Sequence, residues 1–413
     1  MEPIDEKKYS LFDEPLKKIS RHINLRIEEK EKHLWAFREV FEEFRIKIMK
    51  EETFFTLFKK HIFSGSHADG TKIGKADEFD MMMCMKLPEE LDVKILNSTH
   101  DAYIQIKTCG VEVLKEKQNY EKKYKCIEKW LDDKNFILQN KFRRWFESMM
   151  QRILNGPDKN ILQCGNNRYH LTFYKSNPAF RLNVKSCSDE DVKFDIDLVP
   201  SFRFEHPTST WPPICKKKTA EKYNAKEWFV IAKRVEGEED NPHWLVVLLE
   251  QEKEILRGTK HLKSTIRFMK QLRDKHDMPK IKSYYIKTVF LWEADQQSPN
   301  FWDKRLSFLF MHMLRKLRDC VEKKEITYFW MSSLKTGADG YDIFNTLIFR
   351  HSQNQRELLL STNKSFSIHI KVWRKFLLVC RAPRRHKHRR ANQGKGTNQI
   401  ALRDVTVPLS VIC

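Results

Sequence analysis

The chain has 413 residues, 40% of them hydrophobic and 12% aromatic, which excludes an intrinsically disordered protein and leaves room for two domains or one large bilobal unit. Lys plus Arg number 77 against 56 Asp plus Glu, so the formal charge of +21 suits a surface that concentrates polyanions, nucleic acid first among them. The nine cysteines include no Cys-x-x-Cys pair, the first residues are charged, and no run approaches the ~20 apolar residues of a membrane span, so the expected setting is the cytosol, without membrane contact.

From Leu16 to Lys60 apolar residues recur at helical spacing, clearest in Leu34, Phe37, Phe41, Phe44 and Ile48, and predict one long amphipathic helix, kinked or straight. A Gly- and Asp-rich loop follows Ser64-Gly65-Ser66. The run from Glu78 to Leu87 is strand length and stops at Pro88, and Phe142 to Leu154 reads as a second helix ending at Asn155-Gly156-Pro157. Tyr169 to Tyr174, Phe180 to Lys185 and Val192 to Val199 read as strands. These elements make a mixed sheet with helical cover. After Pro200 a Pro- and Lys-rich connection leads into a region where helical periodicity dominates beyond Trp228. The expected class is therefore α/β and bilobal, with a core lobe over 1–205, a helical lobe over 206–350 and a basic, partly disordered tail over 351–413.

The chemistry concentrates where Gly65-Ser66 is followed by Glu78-Phe79-Asp80 at the head of an apolar strand. Side chains two apart on a strand share a face, so Glu78 and Asp80 project together and repel unless cations neutralise them. Hard divalent cations want such carboxylate oxygens. Gly65 lets backbone approach a phosphate closely, the Ser66 hydroxyl can hold triphosphate oxygens, and Lys72 can add positive charge. Each piece alone is common on protein surfaces; their order and spacing give them weight. A third carboxylate is available from Asp195 or Asp197, which also share a face. Either one, set among Phe, Ile, Leu and Val, needs a metal or an Arg or Lys partner.

At these residues the sequence resembles the cyclic GMP-AMP synthase family, including the cGAS-like receptors of animals, and more distantly the oligoadenylate synthetases. The matching pieces are Gly65-Ser66, Lys72-Ile73, Glu78-Phe79-Asp80, Asn177-Pro178-Ala179, Asp197-Leu198-Val199-Pro200-Ser201-Phe202, Trp211-Pro212, Glu252-Lys253-Glu254-Ile255-Leu256, Met269-Lys270 and Ser283-Tyr284-Tyr285-Ile286-Lys287-Thr288, in family order. The resemblance implies a nucleotidyltransferase fold in which Glu78, Asp80 and Asp197 are the catalytic acids holding two Mg²⁺ or Mn²⁺ ions. Asp197 is preferred to Asp195 because the family follows its third acid with an apolar pair, Pro, a small residue and an aromatic. Gly65, Ser66, Glu252, Lys270, Ser283, Tyr284 and Lys287 fall at nucleotide-binding positions, with Tyr284 stacking on a base. The implied substrates are ATP and GTP, and the implied product is a cyclic dinucleotide messenger of innate antiviral signalling. A linear 2'-5' oligonucleotide synthetase and a catalytically silent nucleic-acid-binding member are the alternatives.

Two departures stand out. The family's Trp-Arg-Leu-Ser-Phe-Ser reads Trp244-Leu245-Val246-Val247-Leu248-Leu249 here, without the Arg that contacts the acceptor base. Between Glu252 and Lys270 there is no Cys, so no zinc is expected. That omission tilts the expected activator from DNA to double-stranded RNA, with a dimer on nucleic acid as an expected assembly. The contacts are assigned to Arg26 and Lys30 on the first helix and to Lys253, Arg257, Lys260 and Lys263, whose steps of three and four, with His261, predict one basic helical face.

Overall fold

The apolar spacing of the N-terminal segment produces helix, but not one unbroken rod. The computed structural model describes residues 7–330 apart from 24–26, 101, 156–159, 206–211, 213–216, 224–225, 236–237, 239, 280 and 324–325. Helices cover Asp13–Ile23, Ile27–Ile48 and Glu52–Leu57, and the chain then enters strand β1 (Phe58–Ser64). The end of the run is strand because it pairs antiparallel with β2 (Glu78–Met85), Phe58 opposite Met85 and Ser64 opposite Asp80. Pairing with a neighbour decides a short apolar segment whose spacing alone is ambiguous. Within the Ile27–Ile48 helix, Phe37, Phe41, Phe44 and Ile48 of the expected stripe are buried, and Phe37 stacks on Phe79 with ring centroids 4.3 Å apart.

The remaining strands are β3 (Asp92–Asn97), β4 (Tyr103–Cys109), β5 (Ile161–Cys164), β6 (Asn167–Lys175), β7 (Phe180–Ser186), β8 (Lys193–Glu205), β9 (Glu227–Ile231) and β10 (His243–Val247). Among the described residues they form one ten-stranded sheet in the order β3-β4-β10-β9-β8-β7-β6-β5, with β2 on β8 and β1 on β2. β2 runs parallel to β8, whereas the other pairings are antiparallel. The expected mixed sheet is present, with the predicted helix near Phe142 running over Gln139–Leu154.

One expectation is corrected here. Sequence periodicity turns helical beyond Trp228, but Glu227–Ile231 and His243–Val247 are strands that carry the sheet on to Val247. Each is four apolar residues behind one polar residue, buried nearly throughout, and such short runs carry no period that separates helix from strand. Helices take over at Leu249, over Leu249–Ile255, Leu262–Lys275, Ser283–Gln296 and Leu306–Lys323. The Asp13–Ile23 helix joins them, and Asp13 accepts a 3.0 Å hydrogen bond from the Ser307 backbone N–H at the head of the last helix. One continuous apolar core links sheet and helices. No helix among the described residues is long and apolar enough to cross a membrane. The basic tail over 351–413 lies outside them.

Candidate active site

Phe79 fixes the direction of the β2 side chains. Its ring is fully buried between Phe37 and Phe194, so its neighbours Glu78 and Asp80 project from the opposite face. The parallel register places Glu78 beside Asp195 and Asp80 beside Asp197, and the antiparallel register of β7 places Arg181 beside Asp197 and Asn183 beside Asp195. Three neighbouring strands thus bring four carboxylates and one guanidinium together.

Arg181 takes up much of that charge. It forks onto Asp197, Nε to Oδ1 and Nη2 to Oδ2 both at 2.8 Å, reaches Glu78 at 3.1 Å and lies 3.4 Å from Asp195. Asp195 accepts a 2.7 Å bond from the Asn183 amide as well, and Lys72 lies 2.9 Å from Asp77 and 3.6 Å from Glu78. Among the described residues Asp80 receives no such partner. Burial, then the nearby Glu78 and Asp197 charges, push its carboxyl up to about 7. A half-buried acid so reluctant to ionise marks a place short of positive charge.

The turn before β2 closes over this acid. Gly65 has φ +71°, and a Cβ on it would lie 1.7 Å from Asp80 Oδ2, so only glycine fits. Ser66 follows within the short helical turn Gly65–Ala68, half-buried. The Thr71 N–H donates to the Ser66 carbonyl at 2.9 Å, which holds the loop compact.

The helical part braces the same loop. Lys270, buried on the Leu262–Lys275 helix, donates to the Thr71 carbonyl at 3.1 Å and to its hydroxyl at 3.3 Å. Burial, then Arg273, depress its ammonium to about 8. Lys287 lies 2.7 Å from both Asp69 and Glu252; burial lowers its ammonium, but the two carboxylates together outweigh that and hold it above the usual lysine range. Glu252 accepts in addition from the Tyr284 hydroxyl at 2.9 Å and the Trp330 indole at 3.1 Å. Tyr284 is tethered at its hydroxyl yet remains 37% exposed, which leaves part of its ring open for stacking. The Ser283 hydroxyl accepts from Arg273 at 2.7 Å at the start of the Ser283–Gln296 helix.

The Mab-21 protein nucleotidyltransferase domain matches residues 67–258, and the Mab-21 protein HhH/H2TH-like domain matches residues 261–347. A cyclic GMP-AMP synthase-like receptor of Ctenocephalides felis is 31% identical over 366 residues, covering 82% of this chain and 82% of its own. A receptor of the same name from Trichogramma pretiosum is 31% identical over 381 residues, covering 87% and 74%. The chain belongs to the cyclic GMP-AMP synthase-like receptor family. A third member, from Nicrophorus vespilloides, is 32% identical over 293 residues, covering 70% of this chain and 76% of its own.

As a member of this family the chain is a nucleotidyltransferase, and its α/β core followed by a helical domain is the fold expected from its sequence. Nucleotidyltransferases of this fold use divalent metal ions. The residues present fit such ions: hard oxygen donors on β2 and β8 face one side, and one of them is held reluctant to ionise for want of positive charge. Glu78, Asp80 and Asp197 do not, however, converge with one oxygen each inside 4.8 Å. Among the described residues the group that does is His100, Glu238 and His243. There His100 pairs with Glu238 at 2.7 Å and the His243 ring with the Ser98 hydroxyl at 2.8 Å, so both rings already have hydrogen-bond partners.

Several expected site residues take other positions in this family member. Glu252 is 1% exposed and bonded to three side chains, and through Lys287 it ties Tyr284 to the loop. Leu245, where the acceptor-contacting Arg is missing, is buried in β10. The single basic helical face over 253–263 is corrected: one helix ends at Ile255 and the next starts at Leu262. Lys253 turns inward and donates to the Phe63 carbonyl, with its ammonium lowered mainly by burial. Arg257 and Lys260 are exposed on the connecting turn, Lys30 is exposed on the Ile27–Ile48 helix, and Lys263 is half-buried. Arg26 lies outside the described residues. Sequence reasoning missed Arg181 and Asp69. The signal for Arg181 was the partner that an Asp amid apolar residues requires; a lone Asp in a polar loop carried none.

Proposed function

We propose that this nucleotidyltransferase joins ATP and GTP into a cyclic dinucleotide, an innate-immune messenger, when long double-stranded RNA engages its basic surface. The observation that carries the chemistry is the pairing of Asp80 with Asp197 across β2 and β8 directly under the Gly65 turn. Glu78, Asp80 and Asp197 would hold two Mg²⁺ or Mn²⁺ ions. Bound there, such ions lower the pKa of a ribose hydroxyl and neutralise a triphosphate.

The chain's own residues supply the rest. Gly65 admits the triphosphate close to backbone, and the Ser66 hydroxyl and Lys270 ammonium hold its oxygens. Tyr284 offers its ring to a base, held at its hydroxyl by Glu252. The Asp69–Lys287–Glu252 brace ties the loop to the helix carrying Tyr284, so base and phosphate contacts move together.

The basic surface touches this same loop, which supports a link between activator and site. Burial, then Lys30 and Lys72, hold the His67 imidazole down to about 4. A Cβ on Gly70 would lie 3.6 Å from the Lys263 side chain, and Arg267 reaches the Gly70 carbonyl at 3.4 Å. Arg257 has 77% of its side chain exposed and pairs with Glu254 at 3.0 Å. Contacts of this kind read phosphates and helix shape, so binding should depend on length, ignore sequence and weaken steeply with salt.

The test is mass analysis of products from ATP and GTP with long double-stranded RNA or DNA of equal length. The parent should release a cyclic dinucleotide with RNA, and Arg257→Glu with Lys260→Glu should lower RNA-stimulated output roughly tenfold or more while ATP binding persists. A linear oligonucleotide product contradicts the cyclic reading. Equal stimulation by DNA, or an unchanged response in the double variant, contradicts the proposed activator surface.

A further inference from the structure

We infer that Arg181 is a built-in counter-ion of the acid site, which keeps divalent metal out until nucleotide arrives. The inference rests on the reading of Glu78, Asp80 and Asp197 as metal ligands. Its basis is the fork itself. Both oxygens of Asp197 accept from one guanidinium at 2.8 Å, and the same Nη2 takes Glu78 Oε1 at 3.1 Å. One guanidinium therefore engages both oxygens of Asp197 and one of Glu78, so a metal must compete with it for two of the three ligands, which do not form a ready three-carboxylate group with Asp80.

Geometry makes this arrangement stable but reversible. Bidentate Arg–carboxylate pairs are among the stronger charge-assisted hydrogen bonds, because the planar fork matches the carboxylate and little rotamer freedom is lost per bond. Arg181 sits opposite Asp197 on the adjoining strand, so the pair forms without distorting the sheet. Its side chain is nonetheless 36% exposed, so it has a route out toward solvent. A metal entering alone must break the fork and leave the guanidinium beside a cation. A metal entering with a triphosphate brings anionic oxygens to which Arg181 can turn. Arg181 is thus a positioning residue that couples metal binding to nucleotide binding.

Binding of Mn²⁺ alone, read from the free-ion electron paramagnetic resonance signal of the full-length protein without nucleotide, tests the inference. Arg181→Gln should bind Mn²⁺ about tenfold more tightly than the parent or better, the size expected when a competing charge next to a carboxylate is removed. Arg181→Lys keeps the charge but loses the fork and should fall between the two. It also supplies the answer if the Gln variant does not fold. Adding Asp80→Asn to the Gln variant should abolish the gain, which separates this site from the His100–Glu238–His243 cluster. Adding an unreactive ATP analogue should tighten Mn²⁺ binding far more in the parent than in Arg181→Gln. Parent-like Mn²⁺ affinity in both Arg181 variants, or a gain that survives Asp80→Asn, overturns the role given to Arg181. Absence of Mn²⁺ binding at this site in every protein, with the analogue present, overturns the metal-site reading beneath it.

Discussion

Asp80→Asn should abolish nucleotidyl transfer and at the same time make the metal-free protein harder to melt. The activity loss should be roughly a thousandfold or more, because the acid is the least neutralised of the three and the amide can neither carry the charge nor hold a hard cation as well. The gain in stability follows from linkage. The folded-state carboxyl titrates at about 7 instead of the 3.8 of an unperturbed aspartate, raised by burial first and then by Glu78 and Asp197. The folded protein therefore binds more protons than the unfolded chain between these values, and its stability falls as pH rises from about 4 through 7. Above that window the ionised group costs at most about 4 kcal/mol, and the isosteric amide removes that cost. Thermal melts without metal at pH 8 should show the variant several degrees above the parent, with the difference closing as the pH is lowered toward 4. An inactive variant that melts below the parent at pH 8 would contradict the reading of Asp80 as a strained, cation-seeking acid.

Gly65→Ala should be nearly as damaging to activity, for a steric reason. The added methyl would lie 1.7 Å from Asp80 Oδ2 and 2.4 Å from its Cγ, well inside contact distance, at a φ of +71° that L-residues avoid. Either the turn or the acid must move by an ångström or more. Misplacement of that size costs about a hundredfold in rate, and the backbone strain adds about 1 to 2 kcal/mol of destabilisation. Product assays and thermal melts on the single variant check both parts, and a fully active alanine protein would show that the turn does not gate the acid. Replacing Gly74, which meets nothing within 4 Å, is the matched control for a positive-φ glycine whose added methyl does not meet the acid.

The acids were legible in the sequence because a strand shows its pattern locally: Glu78 and Asp80 flank a Phe whose burial could be guessed, and the period of two does the rest. Gly65 was legible for the same reason, as a turn residue beside a strand head. Arg181 was not, because its role depends on the register between β7 and β8, a long-range choice that no local pattern states. The fate of Glu252 and Lys253 was hidden differently. A charged residue on a short helix reads as solvated, and only the packing of Tyr284, Lys287 and Trp330 around one and β1 against the other turns them inward. The basic helical face failed because steps of three and four describe a helix only if the helix continues, and here it breaks between Ile255 and Leu262. β9 and β10 are the remaining case: four apolar residues in a row fit a buried strand as well as a buried helix turn, and the sheet edge offered by β8 decides between them.

The most direct measurement of the central claim is anomalous diffraction at the manganese edge from crystals grown with Mn²⁺ and an unreactive ATP analogue. Two peaks are expected, bound by Glu78, Asp80 and Asp197, with the triphosphate against Gly65 and Ser66 and with Arg181 turned away from Asp197. Analogue bound elsewhere, or no peak on these acids while Arg181 still forks onto Asp197, would contradict it.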